Sequence, residues 1–228
     1  MKVLAFNTSP DKDNCSLEQI LSPLIEGLQE KGADVELIYT ADLDIRPCRA
    51  CTEMDLFEYD GVCKCEDHMN SLYPKFREAD IWIFGSPVYA NQVNEDLKNL
   101  LDRMEPLFQP TFPNGNPNSK IAKSGKIAFV GTSSMWNLGS FDSLVNQLES
   151  MSLMFEREFV GSLLRPHSWT LESIGDTKLP VDDIFDSARK AGREIAEKGE
   201  ISRETHNAVS KPLVEEDTMT EHLKNSKI

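Results

Sequence analysis

The chain has 228 residues, with 38 acidic against 24 basic side chains and a formal net charge of −14. That charge argues against sequence-independent binding to nucleic acid or to an anionic membrane surface. No apolar run reaches the roughly 20 residues that span a bilayer, and the opening "MKVLAFNTSP" is too short in apolar residues for a secretory signal, so a cytoplasmic protein is expected. The first predicted strand is "KVLAFN" (2–7), followed by an apolar stripe of Leu17, Ile20, Leu21, Leu24, Ile25 and Leu28 at helical spacing. Asn14 or Ser16 would cap this helix, and Gly32 ends it. "DVELIYT" (34–40) reads as the second strand, a cysteine-rich stretch (46–69) follows, and a short helix is expected near 69–78. "DIWIFGS" (80–86) is the third strand, "NEDLKNLLDRME" (94–105) a helix capped by Asn94, and 106–120 an irregular excursion with four prolines. "KIAFVGTS" (126–133) is the fourth strand and "FDSLVNQLESM" (141–151) a helix. A fifth strand falls within 153–164, a second irregular stretch covers 165–180, and a last helix runs near 182–198.

Strands alternating with helices predict an α/β fold with a doubly wound, mainly parallel five-stranded sheet and helices on both faces. The domain is expected over 1–200, with the cysteine-rich insertion at 46–69, and 201–228 as a polar tail. In such a sheet ligands bind beyond the carboxyl ends of the strands. Those ends carry "NTSPDKDNCSL", "GSPVYANQV" and "GTSSMWNLGS". The first offers hydroxyls, amides and a helix start, which suit a phosphate as well as an ordinary capped helix. It has neither a Walker nor a G-x-G-x-x-G pattern. The second presents Tyr89 as a flat aromatic face, and the third small residues beside Trp136. Either is equally compatible with plain loop packing.

Four of the five cysteines fall within 46–69, as Cys48-x-x-Cys51 and Cys63-x-Cys65. In a reducing compartment such clusters point to metal or redox chemistry. The readings open at this point are an iron–sulfur cluster on all four, zinc on the same four, a redox thiol pair, or thiols packed as small apolar groups. His68 reads as part of a helix start and not as a ligand.

The run Asn7, Ser9-Pro10, Asn14, then Pro47-Cys48-x-x-Cys51, Cys63, Asp67-His68-Met69, Ala79-Asp80, Ser86-Pro87-Val88-Tyr89, and Leu97-Lys98 with Asp102-Arg103 resembles the NAD(P)H-dependent FMN reductase branch of flavodoxin-like proteins. Within it, the run is similar to the iron–sulfur flavoproteins. The resemblance is strongest over residues 2–105. It implies strand order 2-1-3-4-5 and non-covalent FMN. The phosphate would lie in the Ser9–Ser16 loop (Ser9, Pro10, Lys12, Asn14, Cys15, Ser16). The ring would lie by Ser86, Pro87, Val88, Tyr89, Asn91, Gly131, Thr132, Ser133 and Trp136, with Thr132–Ser133 as candidate N–H donors to it. It also implies a [4Fe–4S] cluster with Cys48, Cys51 and Cys63 at matching positions, where Cys65 would supply the fourth thiolate in place of the missing family ligand, NAD(P)H as a transient reductant, and no catalytic acid from the chain. A small-molecule or protein redox partner and a homodimer or homotetramer are expected, with Phe108, Phe112 and Trp169 as interface candidates. Where the family has Arg, Gly and Thr in the phosphate loop this chain has Asp11, Asp13 and Cys15, and where it has a third clustered cysteine this chain has Met54. Only Lys12 offsets the two carboxylates. The rival readings are a metal-free NAD(P)H-dependent FMN or quinone reductase and a flavin-less, zinc-stabilised binding module.

Overall fold

The computed structural model describes residues 1–12, 15–50, 63–107, 123–171, 179–218 and 220, together with the backbone of two short strands at 108–109 and 118–119. In chain order these form β1 (Lys2–Asn7), α1 (Ser16–Gln29), β2 (Asp34–Tyr39), α2 (Met69–Glu78), β3 (Ile81–Tyr89), β4 (Gln92–Val93) and α3 (Glu95–Asp102). There follow β5 (Phe108–Gln109), β6 (Asn118–Ser119), β7 (Lys126–Thr132), α4 (Asp142–Met154), β8 (Glu158–Arg165), α5 (Asp182–Lys198) and α6 (Arg203–Ser210).

The main sheet runs β2-β1-β3-β7-β8, all parallel, with β4 added antiparallel to the end of β3. Counted among themselves, the five long strands have the expected 2-1-3-4-5 order of a flavodoxin-like fold. The inner strands are apolar in succession because helices cover both sheet faces. Their alternation sorts residues by size. Leu4, Phe6, Trp82, Phe84, Ile127 and Phe129 face α2, α3 and α4, whereas Val3, Ala5, Ile81, Ile83, Ala128 and Val130 face α1 and α5. On the first face Phe6 stacks on Phe76 (5.2 Å) and Phe84 (5.7 Å), and Trp82 meets Phe155 edge-on (5.1 Å). Each such fully buried ring contributes on the order of 2–3 kcal/mol. On the second face α1 and α5 cross at backbone distance. A Cβ at Gly27 would lie 1.9 Å from the Arg189 carbonyl oxygen, and one at Gly192 would lie 2.0 Å from that of Leu24. An alanine at either position would push the two helices apart.

The expected polar tail from 201 onward is corrected over its first part. Ser202 caps α6 through its hydroxyl (Thr205 N–H, 3.2 Å), and α6 packs Thr205 and Val209 against the body. Arg165 and the Leu164 carbonyl of β8 bind its carboxyl end, at Val209 and Lys211 and at the Ser210 hydroxyl. Few apolar residues announce this helix, because polar contacts hold much of it.

Candidate functional site

The register Asn7↔Gly85, Pro87↔Thr132 and Thr132↔Arg165 brings the ends of β1, β3, β7 and β8 to one edge. Three of these ends are the loops singled out above, and the turn after β8 is a fourth.

In the first loop, Thr8 and Ser9 are buried and Pro10 is exposed. The Ser9 N–H donates to Asn7 Oδ1 (2.9 Å), which closes a local turn. The helix cap is Cys15, not Asn14 or Ser16: its Sγ accepts the Glu18 N–H at 3.4 Å, and its backbone is extended where α1 begins. Asn14 and Asp13 lie outside the described residues. First-turn N–H groups have no partner within a helix, and in α1 the cap takes that of Glu18. Ser16 Oγ donates to the Ser168 carbonyl (3.2 Å). Lys12 is ion-paired with Asp42, so the cation expected to offset the acidic residues already has a carboxylate partner. Beneath the loop, Glu18 accepts from Asn7 Nδ2 (2.7 Å), from the Tyr39 hydroxyl (3.2 Å) and from Ser22. Nearby, burial pushes the Asp96 carboxyl up against the opposing hydrogen bond from Thr40.

The second loop is a tight hairpin. Val88 pairs with Val93 and Tyr89 with Gln92, and the two connecting residues, Ala90 and Asn91, both have positive φ (50° and 56°). This is the geometry that matches the twist of paired strands. It holds Tyr89 out at 54 % exposure, while Pro87 and Val88 are half-buried and Asn91 is exposed. Ser86 is buried: its hydroxyl donates to the Pro87 carbonyl (2.8 Å) and accepts from the Asn94 N–H (3.1 Å). Asn94 caps α3 as expected (Leu97 N–H, 3.3 Å), and its amide also donates to the Thr8 carbonyl. Through Asn94, the first two loops form one unit.

In the third loop Gly131, Thr132 and Ser133 are buried and Trp136 is half-buried. The Ser133 N–H donates to the Arg165 carbonyl (3.0 Å), so it is not free for a ligand. Ser133 Oγ accepts the Met135 N–H (3.1 Å). Met135 (57 %) and Leu138 (42 %) stand exposed. With Tyr89 they account for three of the six large apolar side chains exposed among the described residues. All three sit on loops at the same sheet edge.

The described cysteines of the 46–69 stretch lie elsewhere. Cys48 is exposed, Cys63 and Cys65 are half-buried, and all are unpaired. All three line one mostly apolar cavity of about 770 Å³ with Leu101, Met151, Met154 and Phe155. Cys51 lies outside the described residues, and no metal-ligating group of three or more is assembled among them. The stretch is anchored by a buried ion pair: Arg103 Nη1 and Nη2 lie 2.6 and 3.1 Å from the Asp67 carboxylate. Arg103 also donates to the Arg46 carbonyl (2.7 Å), and Asp67 accepts the N–H groups of Arg46 and Met69 (3.0 Å each). Burial pushes the Asp67 carboxyl up, but the bonds from Arg103, Arg46 and Met69 together hold it below the usual range. His68 stands at the start of α2 as expected, and its Nδ1 accepts the Asp44 N–H at 2.6 Å.

A parallel sheet of this order with ligand-type loops on one edge defines a flavodoxin-like domain, and comparison with known proteins gives its family. Residues 1–162 match the family model for NADPH-dependent FMN reductases. The chain belongs to that family of flavin-dependent oxidoreductases. It is 28 % identical to an iron–sulfur flavoprotein of Archaeoglobus fulgidus, covering 99 % of this chain and 100 % of that protein. It is 30 % identical to one of Methanocaldococcus jannaschii, covering 86 % and 96 %. A solved flavone reductase shares the fold at a TM-score of 0.62 and 19 % identity, over 86 % of this chain and 62 % of that one.

Arg165, His167 and Ser168 of the fourth loop, and Thr8 and Glu18 of the first, are absent from the sequence-derived site. Nothing local in the sequence marks them, because their contacts come from strand register.

Proposed function

We propose that the chain is a cytoplasmic FMN-dependent redox enzyme that takes electrons from NAD(P)H or a ferredoxin-like donor and passes them to a small-molecule or protein acceptor. The observation that carries this reading is the exposed apolar side chains of Tyr89, Met135 and Leu138 on the loops at the sheet edge where α1 begins. An apolar wall next to a helix amino end suits a flat ring with a phosphate tail. When bound, the flavin supplies the hydride and one-electron chemistry. The residues present fit it as follows. Ser9, Pro10, Lys12, Cys15 and Ser16 would hold the phosphate; Asn14, expected to join them, lies outside the described residues. Ser86, Pro87, Val88, Tyr89 and Asn91 form one wall of the ring site. Gly131, Thr132, Ser133 and Trp136 form the other, where the commitment of the Ser133 N–H moves the expected donor on to the exposed Ser134. No side chain is needed as a general acid.

The second part of the reading is a [4Fe–4S] cluster on Cys48, Cys51, Cys63 and Cys65. Three unpaired thiols line one cavity and are the ligand type such a cluster takes, although the described three do not converge into a ligand group. Free cysteines also suit a reducing compartment, and no helix among the described residues is long and apolar enough to cross a membrane. We place a second subunit against the cysteine face, as a homodimer or homotetramer. Exposed Leu153 and Met154 beside the cavity support this. The test is anaerobic purification followed by an absorption spectrum, iron and sulfide counts, and titration with FMN followed by flavin fluorescence. Quenching at micromolar FMN with bound iron and sulfide is expected. Quenching without iron would leave a metal-free reductase, and no quenching would sink the flavin reading.

A further inference from the structure

We infer that His167 is the positioning residue for the ring-side loop: by stacking on Trp136 it fixes the surface that Ser133–Trp136 turns toward a ligand. This deepens the flavin reading and rests on it. His167 follows β8 and is 1 % exposed. Its ring centroid lies 4.3 Å from that of Trp136, with the planes 25° apart. Its backbone N–H donates to the Met135 carbonyl (2.9 Å), and the next N–H, of Ser168, donates to the Ser133 carbonyl (2.8 Å). The Ser168 carbonyl in turn accepts the Ser16 hydroxyl at the start of α1 (3.2 Å). One short turn thus joins the ring-side loop to the phosphate-side helix.

The choice of histidine has a physical reason. The position has φ of +40°, where histidine, asparagine and aspartate are enriched and bulkier residues are outliers. Of these only histidine has a flat ring to stack. The cost is real: neither ring nitrogen has a hydrogen-bond partner, and burying such groups unpaired is unfavourable. Burial first, then the nearby Arg165 guanidinium, lower its pKa to about 4, so the ring is neutral at working pH. The Lys211 backbone is the one polar group that opposes this shift, so the buried, neutral imidazole serves mainly through its plane. The turn is held in turn by Thr170 Oγ1, which donates to the His167 carbonyl (2.8 Å), and by the buried Arg165 guanidinium, 3.3 Å from that hydroxyl.

Two substitutions separate plane from backbone. His167→Asn keeps a residue suited to the left-handed backbone and removes the ring, whereas His167→Phe keeps the ring. The intact chain and both variants are titrated with FMN by flavin fluorescence. Near-UV circular dichroism is recorded without flavin, and urea unfolding serves as the check on folding. His167→Asn should unfold cooperatively, lose part of the tryptophan dichroism and bind FMN about tenfold more weakly, the scale of one aromatic stacking contact. His167→Phe should recover most of both signals. Unchanged dichroism and affinity in His167→Asn would overturn the inference, as would equal losses in two folded variants. Should His167→Phe not fold, Trp136→Leu replaces it: adding His167→Asn to Trp136→Leu should cost no further affinity, and a full additive loss overturns the proposal. If the unmodified chain binds no FMN, the flavin reading fails, while the dichroism of His167→Asn still decides whether the imidazole positions Trp136.

Discussion

Asn94 and Thr8 hold each other from both sides: the Asn94 amide donates to the Thr8 carbonyl, and the Thr8 hydroxyl lies 2.7 Å from Asn94 Oδ1. The pair joins the amino end of α3 to the turn after β1, and both residues are buried. Asn94→Ala removes a helix cap, worth about 1 kcal/mol, and leaves buried polar groups without partners, at about 1–3 kcal/mol more. We expect a loss of about 2–4 kcal/mol in urea denaturation. FMN should bind more weakly as well, because the first two loops lose their register. A cap alone would cost stability and leave affinity in the folded variant unchanged.

The ion pair of Lys12 with Asp42 sets the charge the phosphate loop presents. Both side chains are substantially exposed, at 40 % and 55 %, so the pair is worth at most about 1 kcal/mol. Asp42→Asn frees Lys12 and removes a negative charge. FMN should then bind up to about fivefold more tightly at low salt, with the gain shrinking as salt screens it. Titrations at two ionic strengths check this; equal affinity in both proteins at low salt would show that Lys12 does not reach the phosphate.

The Asp67–Arg103 pair should appear in the pH dependence of stability. Its folded pKa lies below the ordinary carboxylate value of about 3.9. The stability it adds is therefore complete above that value and is lost as pH falls through the lower folded one. Asp67→Asn strands a buried guanidinium, 2 % exposed, and should cost about 3–5 kcal/mol at pH 7. Urea denaturation of both proteins at pH 7 and at progressively lower pH should show the deficit narrowing below about pH 4. A deficit independent of pH would mean that the carboxylate charge is not what holds Arg103.

The fold was legible because its signals are local. Inner strands are continuous apolar runs, and Leu17–Leu28 repeats at helical spacing. The carboxyl-edge loops followed from the alternation of elements alone. What the sequence concealed depends on distant partners. Asp67 and Arg103 were visible as two halves of a family pattern, but their contact spans 36 residues. The Tyr89 hairpin turns on Ala90-Asn91, which lacks the Asn-Gly signal of such turns. Cys15 is not among the residue types preferred as caps, yet the backbone places it there. His167 carries no local signal, since its role exists only once β7 and β8 are paired.

The cysteine stretch yields the last prediction. Cys65 Sγ lies 3.6 Å from Asp67 Oδ2, and Cys63 Sγ accepts the Cys65 N–H at 3.4 Å. The anchored Asp67 thus fixes the backbone that presents both thiols to the cavity shared with Cys48. If Cys65 replaces the ligand that related sequences carry where this chain has Met54, Cys65→Ser should abolish bound iron and sulfide and leave FMN binding intact, because the proposed flavin loops follow β1, β3 and β7 whereas the cysteine stretch follows β2. Cys65→Ser combined with Met54→Cys should restore the cluster through the family's own spacing. Iron and sulfide counts on anaerobically purified protein, with the flavin titration as control, check both variants. Unchanged iron in Cys65→Ser would remove Cys65 from the ligand set. Iron absent from the unmodified chain as well would leave the thiols as packing for the apolar cavity wall formed by Met151 and Phe155.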